Sequence, residues 1–191
     1  QVEPGDRAAL LEELVLRSRE AKLNFPMLQA RPGAGARAEW VIRSQTLAVD
    51  ALSIRGRALK AMLAVDGARA RRLFEEFSLP EAPKPGCGEF LVPIYDRYFE
   101  SVSDMLERAP FSAAERDKQQ PLHIALRAIR SISTTTALAA AGGFFERWKA
   151  RGLDESALVA AFTAAAAQVN DSDLNFTMAL GLKLIERLRM T

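Results

Sequence analysis

The chain has 191 residues, 49% apolar and 26% charged, with a net charge of +2. That composition supplies one sizeable core and is not that of a disordered polymer. So small a charge does not by itself imply a polyanionic partner, one cysteine excludes an intramolecular disulfide or a cysteine metal cluster, and no apolar run approaches the ~20 residues of a membrane span. Arginine outnumbers lysine 20 to 6 and alanine is abundant. Both residues favour helix because they lose little side-chain freedom there, and both are also what a GC-rich bacterial genome supplies.

The first residue is Gln1. A Gln start soon followed by helix-capping residues is expected of a mature exported, periplasmic protein; a cytoplasmic chain is the alternative, which the lone cysteine suits. Asp6 reads as the N-cap of a first helix from about Arg7 to Lys22, with Leu11, Leu14, Val15 and Ser18 on one stripe. The run PGAGA, within a segment carrying Pro26, Pro32, Gly33 and Gly35, breaks regular structure. From Glu39 to Pro80 the sequence predicts a helix, a break near Ser53, a second helix, a tight turn at Asp66-Gly67 and a third helix. Leu47, Ala51, Ile54, Ala58, Ala61 and Val65 step along one face of it, and Ala70, Leu73, Phe74 and Phe77 repeat that spacing.

Three prolines and two glycines in LPEAPKPGCG exclude regular structure from 80 to 88. This loop either lies within a single domain, 1–191, or joins two halves, 1–79 and 89–191. A helix from about 91 to 108 follows, with Tyr95, Tyr98, Phe99, Val102, Met105 and Leu106 on its apolar stripe and Pro93 in its first turn. Ser112 and Glu115 form a capping box, Pro121 ends or kinks that helix, and Leu122, Ala125, Leu126 and Ile129 continue an apolar face to about Ile132. SISTTT opens a helix to about Arg151, interrupted at Gly142-Gly143 and closed by Gly152. Asp154 caps the next, with Leu153 and Leu158 as a hydrophobic staple, and Asp171 or Ser172 caps the last, to about Arg189. The sum is an all-α chain of about nine helices in antiparallel pairs, α-solenoid-like or an irregular bundle, with no segment that reads as a strand.

The stretch VDGARARRLFEEF resembles the second helix of generic α-helical repeats of the tetratricopeptide or HEAT kind. The resemblance covers about 40 residues; the Trp, Gly, Tyr and Pro positions of the tetratricopeptide pattern are not met and no fixed period recurs. It implies a helical-repeat architecture and a partner-binding role, and carries over no functional residue.

Catalytic and metal constellations fare poorly. His123, the only histidine, shares a helical face with Arg127 and Arg130, where positive charge disfavours its protonation. No G-x-S-x-G occurs. Asp171, Asp173 and Asn175 have the opening spacing of an EF-hand loop, but Phe176 and Leu182 stand where Gly and Glu are required. PGAGAR lacks the Lys-Ser/Thr of a phosphate loop. Asp96, Glu100, Asp104 and Glu107 line one face of the 91–108 helix, without the Glu-x-x-His partners of a di-iron bundle; a solvated face is the reading. The aromatics Tyr95, Tyr98, Phe99, Phe144, Phe145 and Trp148 sit at core spacing.

Charge is uneven between Arg55 and Arg72, where six basic residues face one acid, Asp66. Arg55, Arg57, Arg69, Arg71 and Arg72 are the candidate contact surface for an acidic partner. A solvated helix face is the plainer alternative, and pairing with the acidic face just named is another. No aromatic interleaves them, so nucleic acid is not expected. The expected function is therefore a non-enzymatic, cofactor-free helical-repeat protein that binds another protein or peptide. The alternative is a small-molecule binder with an apolar interhelical pocket near Gly142-Gly143.

Overall fold

The computed structural model describes residues 4–21, 24–26, 43, 46–79, 89–91 and 93–169. Among them are nine α-helices: α1 (Pro4–Arg17), α2 (Ala51–Leu63), α3 (Gly67–Glu75), α4 (Tyr95–Arg108), α5 (Ala113–Asp117), α6 (Gln120–Arg130), α7 (Thr135–Gly142), α8 (Phe145–Lys149) and α9 (Glu155–Gln168). A 3-10 turn, Ser18–Glu20, continues α1. The fold class is all-α, as the periodicity predicts. One ribbon is the exception: β1 (Asn24–Pro26) runs antiparallel to β2 (Glu89–Leu91), with Phe25 opposite Phe90. Strands of three residues are too short to show the alternation by which a strand is read, and a proline can sit in one only at an edge. The PGAGA run, the loop 80–88 with Cys87, and the EF-hand-like spacing and final helix beyond residue 170 lie outside the described residues.

Capping chemistry sets most boundaries. Asp66 accepts from the Arg69 amide at 2.9 Å, Thr134 from Ala137 at 3.2 Å and Asp154 from Ala157 at 3.1 Å. The Ser112–Glu115 capping box forms in both directions, and Gly152 adopts φ +73° behind α8. The Ser112–Glu115 box, the Asp154 cap and the Gly152 stop stand where the sequence places them; Asp66 caps α3 at what reads in the sequence as a tight turn, and Thr134 is the capping member of SISTTT.

Four expectations are corrected. Helix α1 starts at Pro4, with Asp6 inside its first turn, and its buried stripe is Ala8, Val15 and Ser18 whereas Leu14 is 45% exposed. The break expected near Ser53 falls earlier. Ala48 takes a left-handed φ of +49°, Asp50 caps α2 by accepting from the Ser53 amide, and Ser53 is wholly buried inside the helix. The apolar face of α2 therefore runs through Leu52, Leu59 and Met62, each 1% exposed or less, while Leu47 is 56% exposed. Pro93 stands before the N-cap Ile94 rather than in the first turn of α4. Pro121 opens α6 rather than ending a helix, with Gln119 at φ +55° before it; proline needs no N–H donor in a first turn.

Asp50 also accepts from the Ile94 amide at 3.2 Å, so one buried carboxylate starts α2 and anchors the entry to α4. Helix α2 packs on α1, α3 and α4, and α4 packs on α2, α3, α6, α7 and α8. One hydrophobic cluster holds residues from both sides of the 80–88 segment. Its spine is a chain of ring contacts from Phe74 through Phe77, Tyr98, Phe99 and Trp148 to Phe162. The α2–α4 approach is closest at Gly56, where a Cβ would lie 2.9 Å from Ser101 Oγ and 3.2 Å from the Arg97 carbonyl oxygen. Ser101 is itself tied to that carbonyl at 2.7 Å. Gly56→Ala is therefore expected to destabilise by about 1–2 kcal/mol through overpacking, against its gain in helix propensity of about 1 kcal/mol. A urea midpoint at or above that of the wild type would show that the two helices separate freely.

Candidate anion-binding cleft around Arg55

The five arginines singled out by charge do not share one surface. Arg57 donates to the Ala48 carbonyl at 2.6 Å, completing the break before α2. Arg69 pairs with Glu12 of α1. Arg71 turns the other way, to Glu115 at 2.7 Å and to the Pro110 carbonyl at 2.9 Å, with its guanidinium over Phe111. Arg72 is exposed. Lys60 meets the acidic face of α4, at Glu100 and Asp104, and Arg147 and Arg151 hold Glu107 at 2.5 and 3.2 Å. Much of the sequence's charge imbalance is thus consumed in joining helices. The Arg147 hydrogen bond holds the Glu107 carboxyl below its ordinary range.

Glu115 illustrates the same use of charge. Hydrogen bonds from Arg71 and then from Ser112 hold its carboxyl down to about 2. A depressed carboxylate adds stability above its unfolded pKa, and that contribution is lost as pH falls toward 2. The Glu115 carboxyl carbon is expected to titrate last among the glutamates in an NMR series from pH 5 to 2, and Arg71→Gln is expected to raise its midpoint by about one unit. A midpoint near 4.5 in the wild type would contradict the pairing.

Arg55 is the exception among the five. It occupies a position on α2 between Leu52 and Leu59, so it points where the helix buries its side chains, and it is only 8% exposed. Its Nε donates to Ser18 Oγ at 2.9 Å, and its guanidinium lies 4.5 Å over the Phe77 ring. Ser18 in turn donates to the Val15 carbonyl at 2.6 Å, which fixes the hydroxyl as an acceptor for Arg55. Among the described residues no carboxylate bonds or pairs with Arg55. Burial, and then the charge of Arg19, push its pKa down to about 10.

Arg55 also lines an open cleft of about 530 Å³, together with Arg19, Ala21, Leu52, Glu76, Phe77 and Ser78. Arg19 reaches it from the 3-10 turn, held by Glu76 at 2.8 Å. An arginine that is nine-tenths buried with only a hydroxyl and an aromatic face for company is costly to the fold. Its fork of N–H donors matches an oxyanion. Sequence reasoning named Arg55 by its charge and Ser18 by its place on the α1 stripe. It named Phe77 only by its place on the α3 stripe and missed Arg19 and Glu76, which come together when the turn after α1 meets the end of α3. One signal was available: a charged residue at a buried phase of α2.

A second cleft, of about 480 Å³, lies between the end of α4 and the starts of α6 and α9; its lining includes Leu106, Arg116, Gln119, Leu122, Arg151 and Leu153. Phe145 and Trp148, where an apolar pocket was expected, are core residues at 4% and 0% exposure, and the two clefts described here lie elsewhere. His123 is exposed. Among the described residues no three His, Cys, Asp or Glu side chains gather as metal ligands, and no helix is long and apolar enough to cross a membrane. No protein-family model matches this chain, and no curated protein or solved structure is significantly similar to it.

Proposed function

We propose that this protein is a non-enzymatic helical binding protein that takes an acidic segment of another protein or peptide into the Arg19–Arg55 cleft. The observation that carries the proposal is Arg55 itself, a buried cation without a carboxylate among the described residues, lining an open cleft. Titratable groups perturbed by burial and sitting in a cleft are concentrated at functional sites. The open shape of the cleft suits an extended segment, and its lining offers arginines, one exposed carboxylate, a hydroxyl and apolar side chains rather than a nucleophile with its base. Stacked helix pairs such as α2–α3 are the architecture that helical-repeat proteins use to present such surfaces.

The test is fluorescence polarisation with labelled dodecapeptides carrying zero, two, four or six glutamates. Affinity is expected to rise with glutamate number and to fall as sodium chloride is raised from 50 to 500 mM, since exposed parts of the contact are screened. Binding that ignores both variables, or that survives intact in Arg55→Met, would remove the proposal.

A further inference from the structure

We infer that the anion recognised in this cleft is a phosphate monoester on a side chain of the partner, bridging Arg19 and Arg55, and that Glu76 is the internal occupant it displaces. The inference rests on the acidic-segment proposal and makes it more specific.

Glu76 already supplies one carboxylate to the cleft. It holds Arg19 at 2.8 Å and does not reach Arg55. Both members of that pair are half-exposed or more, at 50% and 61% of the side chain, so the pair is weak and exchanges readily. A second carboxylate from a partner has two courses. It takes the place of Glu76 on Arg19, which exchanges like for like, or it serves Arg55 alone beside the unmoved negative charge of Glu76. Even a carboxylate that bridged both guanidinia with its two oxygens would bring only the one charge that Glu76 already supplies. A phosphate monoester carries close to two charges and three acceptor oxygens. It can accept from the free fork of Arg55 and from Arg19 together, and its second charge offsets the loss of Glu76 from the site. Ser78 lies in the same lining and adds a hydroxyl donor. Ser18 cannot compete for the anion, because its hydroxyl proton is given to Val15 and its oxygen to Arg55. The Phe77 ring under the guanidinium holds that fork in one plane.

The experiment compares two acetylated alanine-glycine heptapeptides, with phosphoserine or glutamate at the centre, and inorganic phosphate. Binding is read by the Arg55 Nε–H signal in ¹⁵N-resolved NMR, so that only events at this guanidinium count. The phosphopeptide is expected to bind about tenfold more tightly than the glutamate peptide. Glu76→Gln is expected to strengthen phosphopeptide binding about threefold, and Arg19→Gln to weaken it about tenfold; both sites are exposed, so neither change threatens the fold. Arg55→Lys keeps the charge but loses the fork; it is followed by fluorescence polarisation of labelled forms of the two peptides, and is expected to bind both weakly and alike. Equal affinity of the two peptides, with the Arg55 signal moving for each, overturns the phosphate inference and leaves the acidic-segment proposal standing. An Arg55 signal that moves for neither peptide overturns both. Inorganic phosphate binding as tightly as the phosphopeptide overturns the protein-borne source in favour of a small phosphate.

Discussion

Trp148→Ala is expected to remove about 3–5 kcal/mol of folding stability, the range for truncating a large buried aromatic. The side chain is 0% exposed. Its ring contacts Phe99, Phe144 and Phe162, so one substitution opens the aromatic spine between α4 and α9 and leaves a cavity that rigid helices cannot close. The indole N–H also donates to Ser103 Oγ at 2.8 Å, and Ser103 is buried at 1% exposure while donating to the Phe99 carbonyl. Loss of the indole leaves that hydroxyl one partner short. Trp148→Phe separates the two effects: it keeps most of the packing, loses the donor, and is expected to cost about half as much. Urea denaturation followed by far-UV circular dichroism supplies both numbers. A cost below 1 kcal/mol for Trp148→Ala would mean that α8 is not a structural part of the core.

Arg55→Met is expected to act in two opposite directions. Folding stability should rise by about 1–3 kcal/mol, because a buried charge with no carboxylate partner is replaced by an apolar side chain of similar length. Ser18 keeps its bond to Val15 and loses only the Arg55 donor, a smaller cost than the buried charge that goes with it. Binding of an acidic segment should fall by about a hundredfold, which corresponds to the loss of a charge-assisted bidentate contact. The pH dependence carries the sign of the buried cation. Its folded pKa lies below the unfolded one, so folding releases the proton as pH rises through about 10, and the wild type then gains stability relative to the variant. The stability gap should therefore be widest near neutrality and narrower at pH 10.5. A variant that is less stable than the wild type at pH 7 would mean that Arg55 holds the fold together and has no need of an external anion.

The local parts of this fold were legible in the sequence, and the parts that depend on distant neighbours were not. The caps at Ser112 and Asp154 could be read because a cap involves residues three apart and needs nothing from the rest of the chain; SISTTT marked the start of α7 without singling out Thr134, and Asp66 was read only as part of a turn. The apolar faces of α3 and α4 were equally plain, since Leu73, Phe74, Tyr98 and Phe99 are large and regularly spaced. For α2 the stripe was half right: Ala51 and Ala58 are buried, but the large residues beside them, Leu52, Leu59 and Met62, carry the face. Its alanines carry little phase information, and its start depends on Asp50, whose second bond is to Ile94. The candidate site was half visible. Counting charge pointed to Arg55 but gave the same weight to Arg57, Arg69 and Arg71, because a linear sequence does not show that Glu12, Glu115 and the Ala48 carbonyl wait for those three. What distinguishes Arg55 is that it is buried without a carboxylate partner, whereas Arg72 is exposed, and that is a property of three-dimensional neighbours alone.

The pairing of β1 with β2 has a bearing on the order in which the chain assembles. Two strands of three residues have no independent stability, and the segment between them contains α2 and α3. Closing so long a loop is entropically costly until other contacts have already brought its ends together. Docking of α2 on α3 and α4 is therefore expected to precede the ribbon, and the Asp50–Ile94 contact anchors the chain just after β2. The ribbon is therefore expected to open before the helices it joins, and its amides to exchange faster than those of α2 and α4 in native-state hydrogen exchange.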